Sequence, residues 1–258
     1  MDGLMKRNNR PTELLFRKAG ISEGMSVLEL GSGPGEVTEV LAGIVGRTGR
    51  VVAVDRSEKM LAMAKERLQG AGVENVRFVC ADLNGTADYL KDVELASFDV
   101  VAGRRVLMYL AKPEAVIEGL LPWIRPGGLV VFEEMDSTMC PGLVGSMPGH
   151  EQALVWLGQM LDGEGAQRAM GLLLPAVFAK AGLHFERIWA EAVIEGQGDQ
   201  FPLGQMLGLL TPRLESTGIA TAPEIEALIA QINAERDPSR VFVSAMRFCA
   251  LGTKPQDA

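Results

Sequence analysis

The chain has 258 residues and a formal net charge of -8, and 47% of its residues are hydrophobic. Such an acidic balance disfavours a nucleic-acid partner or an anionic membrane surface, and no long apolar run predicts a signal peptide or a membrane span. The three cysteines form no C-x-x-C pair and there are two histidines. We therefore expect no disulfide framework, no metal site and a cytoplasmic location.

The first half of the chain predicts strands that alternate with amphipathic helices. A short helix is expected at 11–19, before the first strand. Five strands are predicted at 26–30, 50–55, 76–80, 98–102 and 129–132, the first two of them buried. Strands and helices in this alternation are typical of an α/β fold with a parallel sheet covered on both faces.

The second half is less regular. Helices are predicted at 151–161, 167–181, 203–215 and 223–235, and two further strands at 183–194 and 241–251. The connection between these two strands is far longer than a hairpin loop. We expect one domain over residues 1–258, in which about 137–170 and 197–239 form a helical cap over the carboxyl edge of the sheet.

Three glycines follow the first strand at alternate positions, Gly31, Gly33 and Gly35. Glycine lets the backbone approach a ligand closely, and open α/β sheets bind ligands at the carboxyl ends of their strands. A dinucleotide fingerprint carries its third glycine where this chain has Glu36. Negative charge at that helix start disfavours a pyrophosphate, so the loop predicts a ligand without phosphate.

Five segments then follow one another in a recognisable order. They are Glu29-x-Gly31-x-Gly33-x-Gly35, Val54-Asp55-Arg56-Ser57-x-x-Met60-Leu61, Cys80-Ala81-Asp82-Leu83, Phe98-Asp99-Val100-Val101 and Arg125-Pro126-Gly127-Gly128. Over residues 24–136 this series resembles the class I S-adenosylmethionine-dependent methyltransferases, in the small-molecule branch typical of secondary metabolism. The resemblance implies a Rossmann-like, doubly wound seven-stranded sheet that is mostly parallel with an antiparallel last strand, plus helical cap insertions.

The resemblance also implies a cofactor, S-adenosylmethionine, with S-adenosylhomocysteine as the product. Asp55 would accept both ribose hydroxyls, while Asp82 and the Leu83 backbone would contact the adenine. The full set of implied cofactor-binding residues is Glu29, Gly31, Gly33, Gly35, Asp55, Arg56, Met60, Asp82, Leu83 and Arg104.

Several of these residues have simpler interpretations. Asp55 and Asp82 are residue types that cap helices and turns, and Met60 is equally compatible with plain core. Glu29 could brace the glycine loop without touching a ligand. For Arg104 we expect the backbone near the methionine end of the cofactor, with a surface charge as the alternative for its side chain.

Catalysis by methyl transfer depends on holding the acceptor in line and excluding water. A general base is needed only if the acceptor loses a proton early. Carboxylates just after the fifth predicted strand, Glu133, Glu134 and Asp136, would face the site, so Glu134 and Asp136 are candidate bases. His150 in the expected cap is a third candidate, with an exposed loop position beside Gly149 as the favoured alternative.

The acceptor is expected to be a small, partly apolar metabolite methylated on O, N or C. Arg104-Arg105 stands where adenine-N6 enzymes carry an Asn-Pro-Pro-Tyr type tetrad, and the sequence has no Pro-Cys nucleophile. A homodimer is compatible with the sequence. One alternative is an NAD(P)-dependent oxidoreductase, which the missing Tyr-x-x-x-Lys pair disfavours; another is a methyltransferase fold that binds the cofactor for a non-methyl role.

Overall fold

This computed structural model describes residues 2–92, 94, 97–139, 147–195, 203–235 and 242–256. Its strands are β1 (Ser26–Leu30), β2 (Arg50–Asp55), β3 (Val76–Cys80), β4 (Phe98–Arg104), β5 (Ile124–Asp136), β6 (His184–Glu195) and β7 (Phe242–Thr253). Its helices are α1 (Asp2–Lys18), α2 (Glu36–Val45), α3 (Glu58–Gly70), α4 (Pro113–Leu120), α5 (Pro148–Gly163), α6 (Met170–Lys180), α7 (Leu203–Ser216) and α8 (Ala222–Glu235).

The strands form one sheet in the order β3-β2-β1-β4-β5-β7-β6. Strands β1 to β5 run parallel, and β7 is antiparallel to both of its neighbours. The predicted Rossmann-like sheet with an antiparallel last strand is confirmed. Every residue of β1 is buried, because apolar clusters cover both faces of the sheet: Leu28 and Leu30 face one cluster and Val27 the other. The carboxyl ends of β1 and β4 therefore meet at the centre of one edge.

Strand β5 is much longer than the predicted 129–132. It begins at Ile124 and passes through an irregularity at the expected turn, where Gly127 has a φ of +68°. It continues to Asp136 because β7 pairs with it along its whole second half, from Leu129 opposite Thr253 to Asp136 opposite Met246. The acidic residues that we expected just after this strand are in fact its last residues.

Helices α5, α7 and α8 pack on one another around an apolar cluster of their own, which includes Met160, Leu207, Leu214, Ile225 and Ile232. These helices occupy most of the two segments predicted to form a cap. Parts of those segments, 140–146, 197–202 and 236–239, lie outside the described residues. That the helices cover the carboxyl edge of the sheet stays a prediction. No helix in the part of the chain that was searched is long and apolar enough to cross a membrane.

Candidate active site

The glycine loop leaves the carboxyl end of β1 in a left-handed conformation. Gly31, Gly33 and Gly35 have φ values of +67°, +52° and +83°, which non-glycine residues rarely adopt. A Cβ added to Gly31 would lie 2.5 Å from Cγ2 of Val106, whereas a Cβ added to Gly33 would meet no atom within 4 Å. The loop is therefore pressed against Val106 on one side and presents open backbone at Gly33.

Asp55, at the end of β2, is bound to this loop. Its Oδ2 accepts a hydrogen bond from the Gly33 N–H at 2.8 Å, and its Oδ1 accepts one from the Ser57 N–H at 2.9 Å. Ser57 in turn caps α3, with its Oγ accepting from the Met60 N–H. The Asp55 carboxylate therefore does stabilise the turn before α3, as the capping interpretation of this residue predicts. Contact with ribose hydroxyls stays a prediction, and a carboxylate has lone pairs left for it.

Arg104, the last residue of β4, connects three elements. Its Nη2 lies 3.0 Å from Oε2 of Glu36 at the start of α2, and its Nη1 donates to Oδ1 of Asn9 and Oγ1 of Thr12 on α1. The side chain is 10% exposed, so the surface-charge alternative is wrong. The guanidinium is held inward because α1, which packs against α2, supplies two of its polar partners.

Glu29 lies directly before the glycine loop and is 1% exposed. Burial raises the pKa of its carboxyl to about 7; the Thr38 side chain and the charge of Arg104 oppose this shift, and the charge of Asp55 adds to it. Such burial favours the bracing interpretation of Glu29. A direct ligand contact was not tested and stays a prediction.

The residues assigned to the adenine side lie after β2 and β3. Asp82 is exposed, and its Oδ1 accepts from the backbone and the side chain of Asn84, which lowers the pKa of Asp82. The turn-capping interpretation of Asp82 is therefore realised. Leu83 is buried in the main core, Met60 is half-buried and Arg56 is exposed. Their contacts with adenine stay predictions.

Two of the candidate bases, Glu134 and Asp136, are among the last three residues of β5, and both are fully buried. Oε1 of Glu134 accepts from the Val106 N–H at 2.9 Å and the Leu107 N–H at 2.7 Å, and burial raises the pKa of this carboxyl to about 7. Oδ1 of Asp136 accepts from the N–H and the hydroxyl of Thr138 and from the Met139 N–H. One oxygen of each carboxylate is thus engaged in shaping a loop.

His150 is not an exposed loop residue, and that expectation is wrong. It lies in the first turn of α5 and is 1% exposed, because the helix begins at Pro148, three residues earlier than predicted. Its Nδ1 is 2.8 Å from Oε2 of Glu235, and Oε1 of Glu235 also accepts from the Gly149 N–H. The pair joins the start of α5 to the end of α8.

Two features of the site escaped sequence reasoning. Glu133, on the opposite face of β5 from Glu134, forms an ion pair with Arg247 of β7 at 3.1 Å; charged residues within the buried end of a strand could have signalled this. Arg105, directly after β4, has a φ of +52°. No local signal predicts that conformation, since arginine rarely adopts it.

A family model described as a methyltransferase domain matches residues 21–166, more than half of the chain. A protein-L-isoaspartate O-methyltransferase of Thermotoga maritima is 38% identical over 88 residues, which cover 34% of this chain and 26% of the relative. The ubiquinone/menaquinone biosynthesis C-methyltransferase UbiE of Shewanella pealeana is 36% identical over 120 residues, 46% of each chain. The matches thus span about a quarter to a half of these curated relatives.

Among solved structures, the [4+2]-cyclase SpnF has a TM-score of 0.60 and 16% sequence identity. The likeness covers 96% of this chain and 81% of that chain. At this identity it establishes a shared fold, and it leaves the reaction open because function resides in the site and not in the fold.

Proposed function

Because this chain belongs to the methyltransferase-domain family and its cofactor is S-adenosylmethionine, we propose that it methylates a small, partly apolar metabolite on O, N or C. When bound, S-adenosylmethionine supplies an electrophilic methyl group on a sulfonium. The protein's contribution is to hold the two reactants in line and to exclude water.

The observation that carries this proposal is the bond between Asp55 and the Gly33 N–H. It places a carboxylate, suited to a diol, beside open glycine backbone at the carboxyl ends of β1 and β2. Glu36, at the adjacent helix start, occupies the position of the third glycine of a dinucleotide fingerprint and is paired with Arg104. These residues fit a nucleoside ligand without phosphate, and they fit a dinucleotide poorly.

The remaining roles follow from the residues around this loop. Backbone at Gly31, Gly33 and Gly35, and at Arg104, would hold the amino-acid end of the ligand, while Asp82, Leu83, Met60 and Arg56 would hold the base. Apolar side chains directly after β4, at Leu107 and Met108, are buried and keep this part of the site dry. Positioning and desolvation are therefore the main means of catalysis, and neither requires a general base.

A small acceptor is supported by the acidic chain and by the segments expected to form a cap, 137–170 and 197–239. A quinone-type acceptor, as the name of the UbiE relative indicates for that enzyme, would match the apolar content of helices α5, α7 and α8. We also propose that the enzyme is cytoplasmic, acts in secondary metabolism and forms a homodimer. These three points rest on the sequence alone.

Calorimetric titration with S-adenosylhomocysteine and with NAD tests the ligand. We expect binding of S-adenosylhomocysteine that Asp55→Asn weakens, with no binding of NAD; tight NAD binding alone would overturn the proposal in favour of an oxidoreductase.

Incubation with labelled S-adenosylmethionine and a panel of phenols, amines, indoles and quinols tests the transfer. Incorporation of label into one compound class supports it. Binding of S-adenosylhomocysteine without any transfer across the panel would count against methyl transfer and for a non-methyl role, the case in which the [4+2]-cyclase neighbour becomes informative.

A further inference from the structure

We propose that Glu134 is a positioning residue, which fixes the loop after β4 against the glycine loop and so shapes the cofactor site. The inference rests on the proposed function, since it names the part of that site that Glu134 controls. It assigns Glu134 a different task from the deprotonation of an acceptor.

The chain leaves the sheet directly after Arg104, the last residue of β4. The pairing of β4 with β5 ends at Arg104 opposite Glu133, and the Arg105 N–H still donates to the Glu133 carbonyl at 2.8 Å. Arg105 then turns the chain with a φ of +52°. A non-glycine residue persists in that region only where its surroundings hold it. Something beyond Arg105 must therefore secure the turn.

Glu134 is the group that does so. Its Oε1 accepts two consecutive backbone N–H groups, Val106 at 2.9 Å and Leu107 at 2.7 Å. The side chain is fully buried, so water does not compete for these bonds. Hydrogen bonds to a carboxylate are stronger than those to a neutral acceptor. Both bonds hold the residues that follow the strained turn against β5.

Val106 packs against the glycine loop, so fixing Val106 also restricts that loop. Its Cγ2 lies so close to Gly31 that a Cβ on Gly31 would be 2.5 Å away. Further along, the Gln167 N–H donates to the Met108 carbonyl at 2.7 Å. A shift of the loop would therefore move the wall behind Gly31 on one side and the chain before α6 on the other.

The same geometry argues against proton abstraction by Glu134. Oε1 is occupied by the Val106 and Leu107 N–H groups, and no part of the side chain is exposed. A base must come within hydrogen-bond reach of the proton that it removes. Burial also raises the pKa of Glu134 to about 7.

The test compares Glu134→Gln and Glu134→Ala with the wild type and with Glu118→Gln, an exposed site on α4 that serves as the matched control. Amide hydrogen exchange at Val106 and Leu107 reports on the loop. Calorimetry with S-adenosylhomocysteine from pH 6 to pH 9 reports on the site, and thermal melting reports on the fold.

We expect Glu134→Gln to weaken S-adenosylhomocysteine binding by about tenfold at pH 8 and to speed exchange at both amides by a similar factor, the scale of one weakened bond to a charged group. Glu134→Ala should be worse, because glutamine keeps an acceptor oxygen and alanine does not.

Unchanged affinity and exchange in Glu134→Gln would overturn the proposal, and would point to a base if turnover alone were lost. A rise in exchange throughout the chain, with a lowered melting temperature, would also overturn it in favour of a general structural role. If the wild type binds no S-adenosylhomocysteine, the proposed function fails, while the local exchange of Val106 and Leu107 still decides whether Glu134 holds the loop.

Discussion

Replacing Glu29 by glutamine should stabilise the protein at neutral pH. Glu29 is 1% exposed at the carboxyl end of β1, and burial raises the pKa of its carboxyl from 4.5 to about 7. Its charge is therefore unfavourable in the folded protein. Glutamine has nearly the same shape and carries no charge, so it removes the cost of ionising this group while keeping the packing.

The sign and the size of the effect follow from the two pKa values. The folded protein holds the proton of Glu29 more tightly than the unfolded chain does, so this group makes the free energy of unfolding fall as pH rises from about 4.5 to about 7. The difference amounts to roughly 3 kcal/mol once both states are ionised, and the unpaired amide of a glutamine reduces the observable gain. The variant should match the wild type near pH 4.5 and exceed it by about 2 kcal/mol at pH 8.

Urea unfolding of both proteins, followed by circular dichroism at pH 4.5, 6, 7 and 8, measures this difference. Glu66→Gln on the exposed face of α3 is the matched control, since it removes one charge at a site where burial plays no part. A stability difference between Glu29→Gln and the wild type that stays constant across this pH range would refute the reasoning. So would a variant that is less stable at every pH.

Three further substitutions probe the site. Asp55→Asn should weaken S-adenosylhomocysteine binding by about tenfold or more, because the Gly33 N–H loses a charged acceptor; calorimetry measures this, and unchanged affinity contradicts it. Gly33→Ala should lower the free energy of unfolding by about 1 kcal/mol, because the added Cβ has space but the φ of +52° is strained for alanine. Urea unfolding measures this loss, with Gly43→Ala in α2 as the control, since a Cβ there has equal space. Arg104→Met should lower the free energy of unfolding by about 1–2 kcal/mol, because Glu36 loses its nearer partner and keeps only Arg67 at 4.0 Å. Arg104→Lys should lose less, and equal stability of the two variants and the wild type in urea unfolding would contradict the pairing.

The sheet could be predicted from the sequence where its strands are buried on both faces. Strands β1 and β2 begin and end at the predicted residues, because a strand covered on both faces is apolar nearly throughout and polar residues mark its ends. Strand β3 also has the predicted bounds, although it lies at the edge of the sheet and none of its residues is fully buried. The end of β5 could not be predicted in this way. Its last four residues are mostly acidic, and they stay in the sheet because β7, more than a hundred residues later in the chain, supplies their hydrogen bonds.

The surroundings of the charged site residues were harder still to predict from the sequence. Glu29, Arg104 and Glu134 could be placed at the ends of three strands, but their burial and partners could not be, because those partners come from elsewhere. Arg104 is held by α1 and Glu134 by the loop after β4. A carboxylate at the end of a strand has the same local sequence whether it faces a ligand or secures a loop. The number of backbone N–H groups that it accepts distinguishes the two roles, and for Glu134 that number favours the loop.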